Sequence, residues 1–178
     1  RLVQVRLRRG ALKAGLSQVL SVDLQAAGNA PVGWRAKRHS PLVDLCRIGA
    51  HAALDFWEPL YAPRGQIVLD PGEFYILASR EAVEIPLADA AEMAPIAPEI
   101  GEFRAHYAGF FDPGFGLGAP AKAVLEVRGR DVPFILEHGQ AVARLVHEPM
   151  AGKIGSAYGM NGSNYQGQGL KLGKHFKA

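Results

Sequence analysis

Gln66-Ile67-Val68-Leu69-Asp70-Pro71-Gly72-Glu73-Phe74-Tyr75-Ile76-Leu77 is the stretch that decides the fold. Gln66 to Leu69 is a short β-rich run, and Phe74 to Leu77 is another. Between them Pro71 fixes φ and Gly72 permits φ > 0, so Asp70-Pro71-Gly72 makes a turn. The pattern of strand, turn and strand continues in both directions. Downstream, Ala82 to Ile85 reads as a strand stopped by Pro86, and Ala88 to Pro98 as a short helix or irregular crossover. Phe103 to Phe111 is β-like and aromatic, and a second Asp-Pro-Gly turn follows at Asp112 to Gly114. Lys122 to Val127, Val132 to Leu136 and Ala141 to His147 then read as strands. Upstream, Leu2 to Leu7 alternates apolar with polar, and Val19 to Leu24 is a further short strand. Gln25 to Leu60 is mixed, with loop signals at Gly28, Pro31 and Gly33, and Gly49 to Phe56 suits a short helix. Short strands separated by frequent turns predict a mainly β sandwich or barrel, not alternating βα units.

The 178 residues suit one domain that can bury a core without staples. With 48% apolar and 21% charged residues, the composition is that of a globular chain and excludes disorder. No apolar run approaches the roughly 20 residues of a membrane span, and no signal peptide is visible. The formal charge of +3 is too mild to demand nucleic acid as a partner. Its distribution is uneven, with Arg6, Arg8 and Arg9 near one end and Lys171, Lys174 and Lys177 near the other. Cys46 is the only cysteine, which fits a reducing, cytoplasmic setting, and it reads as a small buried hydrophobe. From Ala151 onward the chain is rich in Gly, Ser, Asn, Gln and Lys. Residues 1–150 therefore read as a β domain and 151–178 as a flexible C-terminal arm. The first residue is Arg1, not methionine, which is compatible with a later part of a longer protein.

Several chemistries are missing. There is no Gly-x-x-x-x-Gly-Lys loop, and Gly114, Gly116 and Gly118 miss the dinucleotide spacing. Without a Cys-x-x-Cys pair or a His-x-Glu motif, the zinc deaminase signature is absent. No residue is picked as a metal ligand, and any deamination would need water activated by a side chain.

Three groups of residues can carry chemistry. In Ala123-Val124-Leu125-Glu126-Val127-Arg128, period two sends Leu125 and Val127 one way and Val124, Glu126 and Arg128 the other. Glu126 then has two readings. It is either half of a Glu-Arg pair on an exposed face, or a carboxylate facing a pocket, where partial loss of water strengthens it as a general base. Asp112 is either a plain turn residue or an acceptor for a sugar hydroxyl. The arm segment Asn164-Tyr165-Gln166-Gly167-Gln168-Gly169 offers one ring and three amides, followed by Lys171 and Lys174. Amides can bind a base or phosphate, ammonium groups can neutralise a triphosphate, and glycines let backbone close over a ligand. The competing reading of the arm is a solvated, frayed terminus.

Together these segments resemble the dCTP deaminase branch of the dUTPase-like superfamily. Ser21-Val22-Asp23-Leu24 is similar to an early family strand, and Leu69-Asp70-Pro71-Gly72-Glu73 through Ile85-Pro86 to its hairpin. Phe111-Asp112-Pro113-Gly114-Phe115 looks like the family's aspartate-proline-glycine-aromatic turn, with Gly116 and Gly118 loosely filling the glycine that follows. The runs Ala123 to Glu126 and Leu136 to Pro149 come next, and Asn164 to Gln168 resembles a C-terminal Lys-Tyr-x-x-Gln element. The resemblance implies a β-clip fold, a dUTPase-like distorted barrel with few short helices. It also implies a homotrimer with sites between subunits, a deoxynucleoside triphosphate bound with Mg²⁺, and hydrolytic deamination of dCTP to dUTP and ammonia without zinc.

By position Glu126 matches the family's catalytic glutamate and Asp112 the residue near the deoxyribose. Ala108 falls where backbone meets the base, and Tyr165 and Gln168 match tail residues that close over sugar and phosphates. Lys171 and Lys174 join them as phosphate ligands, and Arg128 is a further candidate. Two departures stand out. The family's Ser-Ser-x-x-Arg motif is replaced by Ile96-Ala97-Pro98-Glu99-Ile100-Gly101-Glu102-Phe103-Arg104, leaving Arg104 as a possible substitute, and Asn164 replaces the tail lysine. Some relatives look like two fused modules, so a first module would supply the missing serine and arginine. The alternatives are a dUTP pyrophosphatase, a bifunctional enzyme, and a degenerate nucleotide-binding or trimer-forming module.

Overall fold

A computed structural model describes residues 17–96, 103–106 and 110–177, the four of 103–106 as backbone. In chain order the elements are β1 (Ser17–Ser21), β2 (Gly33–Ala36), α1 (Ala53–Phe56), β3 (Trp57–Leu60), β4 (Gln66–Leu69), β5 (Phe74–Val83), β6 (Asp89–Pro95), β7 (Phe103–His106), β8 (Ala121–Gly129), β9 (Phe134–Glu137) and β10 (Ala141–Pro149). The architecture is therefore mainly β, with almost no helix. The expected strand at Leu2 to Leu7 lies outside the described residues.

The Asp70-Pro71-Gly72 turn forms as its residues demand, with Gly72 at φ 73°. The strands it joins do not pair with each other. β4 pairs with β9, and β5 pairs with β8 and β2, all antiparallel. The strand orders are β1-β10-β6, β3-β2-β5-β8-β7 and β4-β9. The turn instead docks on the end of β8, where the Gly72 N–H donates to the Gly129 carbonyl over 3.2 Å. A Cβ on Gly129 would sit 2.2 Å from the Asp70 carbonyl oxygen, so only glycine permits that approach.

Alternation sets the core. Along β8, Ala121, Ala123, Leu125, Val127 and Gly129 are buried, while Lys122, Val124, Glu126 and Arg128 face the other way. Leu125 packs into one cluster with Leu20, Leu24, Leu69, Leu77, Leu136 and Leu145. Fully burying a side chain of this size contributes about 1.5–3 kcal/mol.

Four expectations need correction. Phe74 to Leu77 and Ala82 to Ile85 are not two strands. They belong largely to one ten-residue strand whose register with β8 shifts between Ala78 and Ala82. At this bulge the buried Ser79 Oγ donates to the Glu81 carbonyl over 2.7 Å and accepts from the Ala123 amide over 2.8 Å. Glu81 in turn accepts from the Ser21 amide (2.7 Å) and hydroxyl (2.6 Å). Ala88 to Pro98 forms neither helix nor irregular crossover at its start, because Asp89 to Pro95 pairs along its length with β10. The mixed stretch before Leu60 contains two short strands, β2 and β3, paired with each other. Cys46 is exposed, not buried. It lies in an irregular loop that also exposes Leu42, Leu45 and Ile48, and no strand carries it inward.

Gly49 to Phe56 supplies one four-residue helix, α1. Among the described residues no helix is long and apolar enough to cross a membrane. Beyond β10 the described arm has no strand or helix, only an isolated bridge between Phe176 and His51.

Candidate active site

Glu126 sits in the middle of the five-stranded sheet, opposite Ile76 on β5 and His106 on β7. It is half-buried, flanked in sequence by the fully buried Leu125 and Val127. Two residues on, Arg128 shares its face and is exposed, with its guanidinium carbon 4.9 Å from the centroid of the Phe74 ring. Phe74 is opposite Arg128 in register, so it too lies on the Glu126 face. Trp57 on β3 approaches Phe74 at 6.0 Å between ring centroids. An aromatic wall thus crosses the sheet on the side where the carboxylate points.

The second Asp-Pro-Gly turn forms a rigid loop beside this sheet. Phe111 and Phe115 are both buried, with ring centroids 5.1 Å apart. Backbone bonds tie Gly114 and Phe115 to Ile85 over 3.0 and 2.8 Å. Gly116 has φ 69°, and a Cβ there would meet the Val83 carbonyl oxygen at 2.2 Å. Asp112 itself is exposed at the loop's outer edge.

The arm folds back onto this loop and sheet. Its Tyr158 amide donates to the Pro113 carbonyl over 2.8 Å, and the Tyr158 ring lies 5.6 Å from Phe115. The Gln166 side chain spans the loop, accepting from the Gly116 amide (3.1 Å) and donating to the Gly114 carbonyl (3.2 Å). Gln168 is only 9% exposed. Its carbonyl accepts from the Lys122 amide over 2.9 Å, which attaches the arm to the start of β8. Its side-chain Oε1 is buried with no hydrogen-bond partner. Further on, the Tyr165 hydroxyl accepts from the Lys174 amide over 3.2 Å, and the Lys171 ammonium stands 5.8 Å from the Tyr165 ring centroid. Lys171 also donates to the Asn164 carbonyl.

Glu126 and Arg128 share one face of β8, and the other residues named from sequence are spread over the arm, a loop and β7. Tyr165, Gln168, Lys171 and Lys174 are gathered in the arm, and Gln168 touches the strand that carries Glu126. Asp112 belongs to the loop the arm docks on. Arg104 belongs to β7, in register with Arg128. Ala108 and residues 97–102, where the family motif departs, lie outside the described residues. Sequence reasoning gave no role to Gln166, Tyr158 or Lys122. Gln166 and Tyr158 hold the arm to the loop, and Lys122 pairs with Asp23 of the Ser-Val-Asp-Leu segment. The Gln166 amide was visible as one of three, but nothing in glycine-rich sequence marks which amide docks.

A groove of about 1150 Å³ lies elsewhere, lined by Asn29, Tyr61, Arg64 and His138 among others. None of the candidate site residues named from sequence lines it. A smaller cleft is crossed by its own ion pairs, Arg35 with Glu58 and Arg38 with Glu73. The Arg35 hydrogen bond holds the Glu58 carboxyl below the usual carboxylate range. Among the described residues no three His, Cys, Asp or Glu side chains are grouped to hold a metal ion.

The model of one family, "2'-deoxycytidine 5'-triphosphate deaminase (DCD), C-terminal domain", matches residues 1–176. Among solved structures, 2'-deoxycytidine 5'-triphosphate deaminase from Agrobacterium tumefaciens is similar at 54% identity with a TM-score of 0.73, covering 80% of this chain and 43% of that one. The chain thus spans less than half the length of that relative. A search of curated proteins returned no match.

Proposed function

The chain belongs to the family of dCTP deaminase C-terminal domains, and on that premise we propose that it takes part in hydrolytic deamination of dCTP to dUTP and ammonia. The observation that carries the proposal is the setting of Glu126. It is a half-buried carboxylate on a sheet face it shares with Lys122, Val124 and Arg128 and, in register, Ile76 and Phe74. The arm that bears Gln166, Gln168, Lys171 and Lys174 attaches to the start of the same strand. Glu126 acts as general base. It takes a proton from water as the hydroxide oxygen bonds to C4 of cytosine, and delivers that proton to N3. When the C4–N bond breaks, the amino group leaves as ammonia with protons passed through the same carboxylate. No zinc enters this scheme.

Asp112 accepts from the deoxyribose hydroxyl, backbone at Ala108 meets the base, and Tyr165 and Gln168 close over sugar and phosphates. Lys171 and Lys174 complement the phosphate charge, with Arg128 and Arg104 as further cations nearby. Magnesium would be held by the triphosphate's own oxygens. The arm offers ammonium and amide groups, not carboxylates, and so suits phosphate more than metal. Bound there, Mg²⁺ would neutralise part of the phosphate charge. The setting we propose is cytoplasmic, and the assembly a homotrimer or a tandem of similar modules.

The absent Ser-Ser-x-x-Arg motif supports a second reading, in which this unit binds nucleotide but needs another module to supply serine and arginine. Ammonia release with dCTP, dCMP and dUTP as substrates tests both. Release from dCTP alone, without pyrophosphate, supports the deaminase and excludes a dUTP pyrophosphatase. Binding of dCTP without turnover in the isolated chain favours the second reading. Glu126→Gln is expected to keep dCTP binding and lose turnover by about 10²–10⁴-fold, the usual worth of a general base. An active Glu126→Gln enzyme removes that residue from the mechanism.

A further inference from the structure

We propose that Phe176 is a positioning residue: it pins the far end of the arm to the sheet face of Glu126, making the arm a strap fixed at both ends instead of a free lid. The inference rests on the nucleotide-binding reading of the arm. The near anchor is Gln166 on the 114–116 loop and Gln168 on Lys122. The far anchor is Phe176. Its ring meets Phe56 edge-on at 5.4 Å and Trp57 at 5.8 Å, with His51 at 6.3 Å. Backbone bonds reinforce it: the Gly49 amide donates to Lys174, the Ala50 and His51 amides to His175, and the Lys177 amide to His51. Trp57 belongs to the aromatic wall with Phe74 and Arg128, so this anchor lies on the face where Glu126 points.

The two anchors stand on β8 and β3, three strand spacings or about 14 Å apart across the sheet. Lys122 lies six residues or about 20 Å along β8 from Arg128, the level of Trp57, so the anchors are about 24 Å apart. The segment from Gln168 to Phe176 can reach about 27 Å when extended. Little of that reach is spare, so the segment is held close over the sheet while both ends hold. Leu172, midway, is buried and keeps the segment down when no ligand lifts it. Lys171 lies on the span between the anchors, and Lys174 at the far anchor itself. Trp57 Nε1, Gln168 Oε1 and His175 Nδ1 are buried without hydrogen-bond partners. These unmet polar atoms cluster at the two anchors, where a bound ligand or its waters can satisfy them.

The test is Phe176→Ala in the full chain, with Phe176→Tyr as the conservative control. Trypsin cleavage after Lys171 and Lys174 is expected to speed up at least tenfold in Phe176→Ala and to stay near the wild-type rate in Phe176→Tyr. KM for dCTP is expected to rise at least fivefold with kcat within twofold, and Phe176→Tyr to restore it. Unchanged cleavage in Phe176→Ala overturns the anchor. Faster cleavage with unchanged KM overturns the positioning role. Should the wild type release no ammonia from dCTP, the deaminase reading fails by itself. Cleavage rates and the dCTP Kd of the same variants then decide the role of Phe176.

Discussion

The β domain and the arm are held by different means. In the domain, each strand is fixed by a backbone ladder and by every second side chain entering one shared core, so loss of any single contact is spread over many neighbours. The arm has no ladder. It is held by a few discrete attachments: Gln166 on a loop, Gln168 on one strand edge, Phe176 in an aromatic notch. The domain is thus held cooperatively and the arm piecewise, so the arm can open locally at a lower free energy than the domain unfolds.

The largest effect that tests this contrast is Leu125→Ala. Removing a fully buried core side chain is expected to cost about 2–5 kcal/mol and to lower Tm by roughly 10 °C, as read by thermal unfolding. Deleting the chain after Ser163 is expected to leave Tm within a few degrees of the parent. The same deletion weakens dCTP binding at least tenfold, about 1.4 kcal/mol, by calorimetry. A Tm fall as large as that of Leu125→Ala would erase the distinction between domain and arm.

A smaller effect comes from His147, which is buried in the domain with Nδ1 unpaired and 3.7 Å from Asp89. Burial pushes its pKa below the ordinary value of 6.5, against the pull of Asp89. The unfolded chain then takes up the proton more readily than the folded one. This contribution to stability is complete above pH 6.5 and is lost as pH falls below it toward the folded pKa. The slope cannot exceed about 1.4 kcal/mol per pH unit for one proton. Unfolding between pH 7.5 and 5 should be steeper in wild type than in His147→Gln, and equal slopes would exclude His147 as the source. The smallest effect is Gln166→Ala, expected to cost about 1 kcal/mol or less. Hydrogen exchange should show it as lost protection at the Gly116 amide with the β8 amides unchanged.

Legibility in the sequence follows the same division. β4, β8 and β10 were readable as runs rich in strand-forming residues, and along β8 burial on one face imposes period two. β6 was not, because Asp89-Ala-Ala-Glu-Met-Ala-Pro has little intrinsic strand preference and is recruited by pairing with β10. β5 looked like two strands because its bulge places polar Ser79, Arg80 and Glu81 in mid-run. β3 was masked by Pro59, which is tolerated on that sheet's outer strand. At the site, Glu126 could be singled out by its polar place in an apolar strand. The docking of Gln166, Tyr158 and Phe176 could not, since a single attachment leaves no periodic trace.

The bulge in β5 also bears on how the chain avoids misfolding. Side chains on a strand alternate faces, so a one-residue slip of β8 against β5 would turn Glu126 into the core and Leu125 or Val127 out to water. Ser79 bonds to Ala123 only in the native alignment, and Glu81 meets Ser21 from a different sheet. These contacts favour the native register, since an offset pairing buries a charge and leaves them unmade.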